Sequence, residues 1–443
     1  MIREQDARFI LNAVWQGNCA SIVGLSNTGK SALLRAVCTP AVQAELLGDE
    51  NDAGLFAYVD CNLMPELSEQ ALHEITLRSI ITALRRSGVQ DALAEQLDHS
   101  YHQVVQPAAP IRSPLAFDNA LQRVCDESGR HLVILFDEFD DPFEKLSGRI
   151  FLNLRAMKDR FKNALVYVTA TERPLTQISQ SADAGEFIEL FDTRERWIGF
   201  LDRNDAIALA REFTAGAPAA EADIAFIVQQ AGGHAGLLET TTEVWRRIAG
   251  GVPDSARESA LTLVRQALDD QLPIRAECAK LWSQLSEAEQ SALISHVHGM
   301  PAAAEALDVL RDKRLLGQDE REDEPLVGEI WRAFIHRQGL AREDLQRGVT
   351  VDVDAGEVYV DGRKIEPLTD LEYKLLLLLY GRLNKIVDKY TIVTNVWGET
   401  YLDAVDDARI EKLVSRLRSK LEPNAEEPRY LITLRGRGYK LVG

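Results

Sequence analysis

The sequence predicts an α/β fold with a parallel sheet for its N-terminal part and a smaller α+β domain at its C-terminal end. The first prediction depends on short apolar strands that alternate with helix-period segments over residues 1–195. The second depends on strand, helix and hairpin patterns that follow one another over residues 346–443. With 443 residues, of which 46% are hydrophobic, the chain is long enough for several domains with cores of their own.

A glycine-rich turn follows the first apolar strand, which covers residues 20–23. Residues 24–31 read GLSNTGKS and have the spacing G-x-x-x-x-G-K-S. Gly24 and Gly29 allow a tight turn whose backbone N–H groups point at a phosphate. We expect Lys30 to neutralise phosphate oxygens and the Ser31 hydroxyl to bind Mg²⁺. Because an ordinary turn does not need Lys-Ser after its second glycine, the pattern predicts an ATP- or ADP-binding loop. The candidate contacts are Gly24, Asn27, Thr28, Gly29, Lys30, Ser31 and Ala32.

Two carboxylates end a second buried strand. Residues 131–136 form a continuous apolar run, which is typical of a strand buried on both faces of a parallel sheet. Asp137 and Glu138 follow, so we expect both at the carboxyl edge of the sheet, where ligands bind in such folds. Asp137 is predicted to hold Mg²⁺ and Glu138 to polarise the attacking water. Many strands end in a solvated acidic turn, and the phosphate loop upstream favours the catalytic interpretation.

Charge is distributed unevenly along the chain. The whole net charge of −19 lies in residues 1–345, whereas residues 409–443 carry nine basic and four acidic side chains. This asymmetry indicates that the C-terminal end alone meets a polyanion. Five scattered cysteines without C-x-x-C spacing argue against a zinc site and a disulfide framework. With no apolar run of membrane-spanning length and no signal-like N-terminus, the sequence predicts a cytoplasmic protein that has no membrane partner.

The middle of the chain is predicted to form two helical domains. Residues 196–270 have helical periodicity interrupted by glycines and are expected to be a lid. Residues 271–345 contain helical stretches, one of them opened by a capping box from Ser286 to Glu289. The charge run 319–324 is expected to be the solvated tip of a hairpin, which predicts a small winged-helix linker. With residues 1–195 and 346–443, this makes four domains.

Residues 346–443 show a complete order of elements. Three short antiparallel strands are predicted around turns at 355–356 and 361–362. Three helices follow, the first opened by a capping box at 369–372 and the third covering residues 407–421. The third helix has an apolar stripe, with basic side chains off it. A hairpin over residues 430–442 ends the chain. The apolar stripe comprises Ile410, Val414, Leu417 and Leu421.

This segment resembles the DNA-binding domain of OmpR/PhoB-type transcriptional regulators over its full length. The matching motifs are LTDLEY at 368–373, VxxxWG ending at residue 398, SRLRSKLEP at 415–423 and YLITLRGRGY at 430–439. In that family the third helix enters the major groove of double-stranded DNA, and the hairpin wing reaches the minor groove or backbone. The resemblance implies that Arg416 reads bases and that Arg418 contacts a phosphate.

The wing supplies further candidates. The same resemblance implies groove and backbone contacts for Thr433 and Arg435. Lys412 and Arg437 depart from the family pattern, because apolar or small polar residues are commoner there, and we expect both to contact phosphates. The candidate DNA-binding residues are Arg409, Lys412, Arg416, Arg418, Thr433, Arg435 and Arg437.

Residues 1–340 resemble the STAND and origin-recognition-type branch of AAA+ ATPases. The strand 164–169 is similar to the sensor strand, which implies that Thr171 or Arg173 senses the γ-phosphate; an exposed arginine at a strand end is the alternative. Residues 232–236 read GGHAG and resemble the lid motif GGHPG, with alanine in place of proline. This implies a nucleotide contact for His234, against the alternative of a structural histidine. The candidate catalytic residues are Lys30, Asp137, Glu138 and Arg173.

Together these features predict an ATPase that uses ATP or ADP with Mg²⁺ and acts as a nucleotide-switched, sequence-specific transcription regulator. Two alternatives stay open. One is a replication-initiator or transposition-type ATPase that assembles on DNA, and the other is a non-hydrolysing nucleotide-binding scaffold. The candidate partners are double-stranded DNA, RNA polymerase, a signal-input protein and, when nucleotide is bound, further copies of this chain.

Overall fold

The chain forms two compact units in a computed structural model. The first unit comprises Met1–His296 and Met300–Ala333, and the second comprises Val297–Gly299 and Phe334–Gly443. The predicted division into four domains therefore stays a prediction. The structure describes residues 1–48, 54–87, 91–109, 112–179, 181–217, 219–269, 271–317, 325–344, 348–353, 356–398, 407–422, 424 and 426–442.

The first unit contains a five-stranded sheet in which every pairing is parallel. Its strands are β1 (Ala20–Val23), β2 (Leu55–Asp60), β3 (Leu132–Asp137), β4 (Leu165–Thr171) and β5 (Glu195–Trp197). They lie in the order β2-β3-β4-β1-β5, so that β1 is flanked by β4 and β5. This order places the ends of β1, β3 and β4 next to one another, and it confirms the predicted parallel α/β sheet.

Helices cover both faces of this sheet. They are α1 (Glu4–Trp15), α2 (Lys30–Val37), α3 (Pro40–Leu47), α4 (Glu69–Ser87), α5 (Asp91–Val105), α6 (Arg112–Glu127), α7 (Asp140–Lys145), α8 (Gly148–Phe161), α9 (Leu175–Ile178) and α10 (Ala182–Ile188). Alternate side chains of β3 enter two different apolar clusters, as a strand buried on both faces requires. Ile134 and Phe136 pack in the cluster with α4, α6 and α8, whereas Val133 and Leu135 pack in the cluster with α1 and α2.

The rest of the first unit is helical in its described part. Its helices are α11 (Arg203–Thr214), α12 (Glu221–Ala231), α13 (Ala235–Ile248), α14 (Asp254–Asp269), α15 (Leu272–Ser283), α16 (Glu287–Val297), α17 (Ala304–Asp312) and α18 (Glu329–Asp344), of which α16 and α18 continue into the second unit. The predicted capping box forms, since Ser286 N donates to Glu289 Oε2 at 2.8 Å and Glu289 N to Ser286 Oγ at 3.3 Å. The predicted hairpin tip at 319–324 lies outside the described residues. After it, Val327 forms an isolated bridge with Gly232.

The second unit has the element order that the sequence predicts. It contains β6 (Val349–Asp352), β7 (Glu357–Val360), β8 (Arg363–Lys364), α19 (Asp370–Tyr380), α20 (Lys389–Val396), α21 (Asp407–Leu421), β9 (Leu431–Leu434) and β10 (Gly438–Leu441). The first three strands form one antiparallel sheet, and β9 pairs with β10 as a hairpin. The predicted turn at 355–356 lies partly outside the described residues. Among the helices that the structure describes, none has the length and apolar character to cross a membrane.

Candidate functional sites

The glycine-rich loop follows β1, as the sequence predicts, and leads into the start of α2. A Cβ atom added to Gly24 would lie 2.3 Å from the carbonyl oxygen of Ile198, so only glycine fits there. Gly29 has φ = 95° at the N-cap of α2, a conformation that favours glycine. Thr28 Oγ1 donates to Leu25 O at 2.8 Å and fixes the turn from inside. The resulting backbone cradle, which opens into Ser31 and Ala32 of α2, fits a phosphate group.

Lys30 lies inside this loop, with only 5% of its surface exposed. Its Nζ donates to the carbonyl oxygens of Gly24 at 2.7 Å and Leu25 at 3.0 Å. Burial lowers the pKa of Lys30, and the nearby carboxylates oppose that shift; they are Glu172, Glu138, Asp140 and Asp137. A buried ammonium at the floor of a backbone cradle is the donor that a phosphate oxygen requires.

Asp137 is the last residue of β3, at the carboxyl edge of the sheet, and is almost fully buried. Both of its carboxylate oxygens accept hydrogen bonds, from Tyr58 Oη at 2.5 Å and from Glu138 N at 3.1 Å. Burial and this contact with Asp137 raise the pKa of Tyr58 well above its usual range. The tyrosine belongs to β2, the neighbour of β3 in the sheet. Tyr58 therefore orients the carboxylate predicted to hold Mg²⁺, a positioning role that the sequence analysis missed.

Glu138 follows Asp137 and has φ = 53°, in the left-handed region that non-glycine residues rarely adopt. Strained backbone of this kind often occurs where a side chain is held for function. Burial raises the pKa of Glu138, with Lys30 opposing the shift and Asp137 adding to it. A carboxylate with a raised pKa is a better proton acceptor than a solvated one, which agrees with the predicted role of general base.

The structure separates the two sensor candidates, Thr171 and Arg173. Gly24 N donates to Thr171 O at 3.1 Å, so the end of β4 lies against the start of the loop. The Thr171 hydroxyl is buried and has no hydrogen-bond partner among the described residues. Arg173 instead pairs with Glu144 at 3.3 Å, and both side chains are about half exposed. The backbone of Thr171 therefore contacts the loop, and the roles predicted for Thr171 and Arg173 both stay predictions.

His234 lies at the N-cap of α13 and is 1% exposed. Its Nδ1 accepts from Leu237 N at 3.2 Å, so the proton resides on Nε2, which lies 3.2 Å from Ser26 O. Burial lowers the pKa of His234 to about 4, and the ring is therefore neutral at pH 7. His234 thus contacts the backbone of the glycine-rich loop directly. Its predicted contact with nucleotide stays a prediction.

Arg3 is a second support of the loop that the sequence analysis missed. Its Nη2 donates to Thr28 O and to Gly199 O, each at 2.6 Å, and its Nη1 pairs with Asp6 at 3.3 Å. The Asp6 carboxylate is 2% exposed and binds two further arginines. They are Arg196 at 2.6 Å and Arg314 at 3.3 Å. The contacts of Arg3 with Gly199 and of Asp6 with Arg196 and Arg314 join residues 190 to 308 positions apart, so no local pattern could have revealed them.

The helix α21 presents a basic face to solvent. Its buried side chains are Ile410, Leu413, Val414, Leu417 and Leu421, which include the predicted apolar stripe. Arg409, Lys412 and Arg416 are exposed on the other side. The side chains of Lys412 and Arg416 make no hydrogen bond or ion pair with the residues that the structure describes. Two free cations at one-turn spacing on an exposed helix can reach a polyanion.

Arg418 has a different position from the other candidates. Its guanidinium donates to Leu431 O at 2.8 and 2.7 Å and to Thr433 Oγ1 at 2.6 Å, which ties α21 to β9. The structure therefore gives it a positioning role, and its phosphate contact stays a prediction. Arg435 and Arg437 are exposed on either side of Gly436, whose φ of 73° forms the hairpin turn.

The second unit, which contains α21 and the hairpin, is similar to domains of known proteins. Residues 362–441 match the family model described as "Transcriptional regulatory protein, C terminal". The "Probable transcriptional regulator ycf27" of Cyanophora paradoxa is 37% identical over 98 residues, which are 22% of this chain and 41% of that relative. The chain thus spans less than half of this relative's length. The family match confirms the predicted OmpR/PhoB-type winged-helix domain.

Two solved structures are similar to this chain. The DNA-binding domain of RstA from Klebsiella pneumoniae, solved in complex with the RstA box, is 30% identical and covers 21% of this chain and 91% of the solved chain, with a TM-score of 0.20. The ORC2 protein of Aeropyrum pernix, solved as ADPNP–ADP complexes, is 14% identical and covers 81% of this chain and 88% of the solved chain, with a TM-score of 0.42.

Proposed function

We propose that this chain, whose residues 362–441 belong to the family of C-terminal domains of transcriptional regulatory proteins, is a nucleotide-switched, sequence-specific DNA-binding regulator. One observation carries the proposal: the chain combines that domain with a complete G-x-x-x-x-G-K-S loop at the carboxyl edge of a parallel sheet. Because one chain carries both a phosphate-binding loop and a DNA-binding domain, nucleotide binding to the loop can regulate DNA binding.

The first unit would bind ATP or ADP through the loop. Lys30 and the N–H groups at the start of α2 would hold the phosphates, and Ser31 with Asp137 would hold Mg²⁺, which neutralises charge on them. Glu138 would accept a proton from the attacking water, which makes the chain an ATPase. We propose that hydrolysis is slow and acts as a timer, since a switch needs only a difference in free energy between two states. The terminal phosphate must favour one state by about 5.5 kcal/mol to reverse a 1:99 population.

The second unit would bind double-stranded DNA through α21 and the wing. The exposed Arg416 is the candidate base reader, and the other exposed cations of the helix and wing would contact phosphates. The excess of basic residues over 409–443, in a chain with a net charge of −19, supports placing the interface there. A strongly acidic first unit repels DNA, so that binding by the full chain is expected to be weak at random sites.

The proposal is tested by sequencing the genomic fragments that the full-length protein retains with ATP, with ADP and without nucleotide. We expect one sequence motif whose occupancy changes with the nucleotide in the wild-type protein and does not change in Lys30→Ala. If the occupancy of the motif by the wild-type protein does not change with the nucleotide, the proposed switch is refuted. Nucleotide-dependent rings or filaments on DNA would instead favour an ATPase that assembles machinery on DNA.

Arg416→Ala is expected to weaken binding to the selected site by about 1–3 kcal/mol, with little effect on random DNA. The reason is that a base contact carries sequence information, whereas a phosphate contact does not. Full-length proteins are titrated on specific and random duplexes at two salt concentrations. Equal losses on both duplexes would show that Arg416 does not read bases.

Arg437→Ala is the contrasting variant in this experiment. Loss of a phosphate contact on the wing should weaken binding to both duplexes and reduce the slope of log affinity against log salt by about one unit. Arg363→Ala, which removes an exposed arginine from β8, is the control and should leave both affinities unchanged.

A further inference from the structure

The helix α15 contacts the middle of the phosphate loop. Gln284, the residue that caps the end of α15, accepts a hydrogen bond from Ser26 N at 3.0 Å. Glu277, on the same helix, accepts from Asn27 Nδ2 with both carboxylate oxygens, at 3.0 and 2.9 Å. Ser26 and Asn27 are the third and fourth residues of the eight-residue loop motif. Two side chains of α15 therefore occupy the part of the loop that lies between its glycines.

The Glu277 carboxylate is an unusual neighbour for a phosphate site. Its side chain is 16% exposed, and it forms no ion pair with a lysine or arginine among the described residues. The nearest ring nitrogen, His234 Nε2, lies 3.6 Å away, but that ring is neutral because burial lowers the pKa of His234 to about 4. The negative charge of Glu277 is thus uncompensated by these neighbours.

The contact between Glu277 and Asn27 is also tightly packed. A Cβ atom added to Gly236 of α13 would lie 3.2 Å from Asn27 Cβ and 3.5 Å from Glu277 Oε1. The loop, α13 and α15 therefore meet at this point with little spare space. A group that enters the loop here has to displace α15 or accept the carboxylate as a neighbour.

The charge has a different effect on different nucleotides. A third phosphate adds negative charge to the same short loop, and repulsion between like charges in a partly desolvated site is stronger than in water. The carboxylate therefore penalises a triphosphate more than a diphosphate. The hydrogen bond between Ser26 N and the Gln284 amide, in contrast, joins two neutral groups, so its loss costs the same whichever nucleotide displaces it.

We propose that Glu277 is a specificity-determining residue, which biases the loop towards nucleoside diphosphates over triphosphates while α15 is seated on Ser26 and Asn27. The proposal rests on the proposed function, because it assumes that the loop binds nucleotide. The preference for the diphosphate therefore holds only while the carboxylate of α15 contacts Asn27 in the loop.

The test compares the dissociation constants of full-length wild type and Glu277→Gln for ADP and for a non-hydrolysable ATP analogue, by isothermal titration calorimetry with Mg²⁺. Glutamine keeps an oxygen that accepts from Asn27 but removes the charge. We expect the ratio of triphosphate to diphosphate affinity to rise about tenfold, mainly through tighter triphosphate binding. An unchanged ratio, or a shift towards the diphosphate, would overturn the proposal.

Two further variants separate charge from packing. Gln284→Ala removes the neutral contact with Ser26 N and should change both affinities alike; a ratio shift as large as that of Glu277→Gln would overturn the role of the charge. Glu287→Gln, at an exposed position at the start of α16, should leave the ratio unchanged.

If the wild type binds neither nucleotide, the proposed function fails and this inference fails with it. If it binds both and the ratio stays fixed, only this inference fails.

Discussion

Lys30→Ala should lower the affinity of the full-length protein for both ATP and ADP by about 100-fold or more. The expectation follows from the position of the ammonium, which lies buried at the floor of the loop and bonds only backbone oxygens there. Loss of a buried charge-assisted contact typically costs about 2–5 kcal/mol. Calorimetric titration of the variant with each nucleotide measures the loss.

The matched control is Lys145→Ala. Lys145 belongs to α7 in the same unit, is about half exposed and pairs with Asp141 at 2.8 Å, as surface lysines commonly do. Its removal should leave both affinities within about twofold of the wild type. Thermal unfolding without nucleotide shows whether the loop variant still folds. Wild-type affinity in a folded Lys30→Ala protein would disprove the assignment of the phosphate loop.

DNA binding provides a second readout of the same variant. The second unit has its own apolar cluster, which packs α19 and α21 against β9 and β10. A change at Lys30 should therefore leave the fold of the DNA reader intact. We expect Lys30→Ala to keep its affinity for random DNA while it loses the effect of ATP. Loss of random-DNA binding would indicate that the variant is misfolded rather than unable to bind nucleotide.

Local patterns were sufficient for the elements that carry the loop and the DNA reader. The strand β1 and the glycine turn lie where the sequence predicts them, because each is determined by neighbours in the chain. The same holds for the start of α19, where Thr369 N donates to Glu372 Oε2 at 2.9 Å, one of the two bonds of the predicted capping box. Apolar periodicity also predicted which face of α21 is buried.

Contacts across the sheet could not be predicted in this way. Tyr58 reaches Asp137 because β2 and β3 are neighbours in the sheet, and strand order depends on long-range packing rather than on local composition. Glu277 meets Asn27 across 250 residues, and Gln284 meets Ser26 across 258. Polar residues on amphipathic helices are usually solvated, so their sequence gives no sign of a partner.

The directions of two side chains, those of Arg173 and Arg418, could not be predicted from the sequence. Arg173 follows the predicted sensor strand in the sequence, yet its side chain pairs with Glu144, whereas the Thr171 backbone carbonyl accepts from Gly24 N of the loop. Arg418 has the spacing of a phosphate contact, yet it donates to the backbone of β9. In both cases the direction of the side chain depends on neighbours that fold next to it, which residue type and spacing do not specify.

Glu138→Gln should slow ATP hydrolysis by about 10²- to 10⁴-fold, the usual contribution of a general base. Glutamine has nearly the same shape and tolerates the left-handed backbone as poorly as glutamate, so the fold should change little. ATP affinity should stay the same or rise, because the variant removes one negative charge from a group of four carboxylates. These are Asp137, Glu138, Asp140 and Glu172.

The rate of phosphate release from ATP is measured for wild type, Glu138→Gln and the control Glu189→Gln, whose carboxylate is exposed beside α10. The pH dependence adds a second criterion. Burial raises the pKa of Glu138, and protonation removes the base. As the pH is lowered, the wild-type rate should therefore begin to fall at a higher pH than it would with a glutamate of ordinary pKa. Equal rates in wild type and Glu138→Gln would exclude Glu138 as the base. If the wild type binds ATP without hydrolysing it, the chain acts as a nucleotide-binding scaffold, and the switch would depend on exchange of ADP for ATP alone.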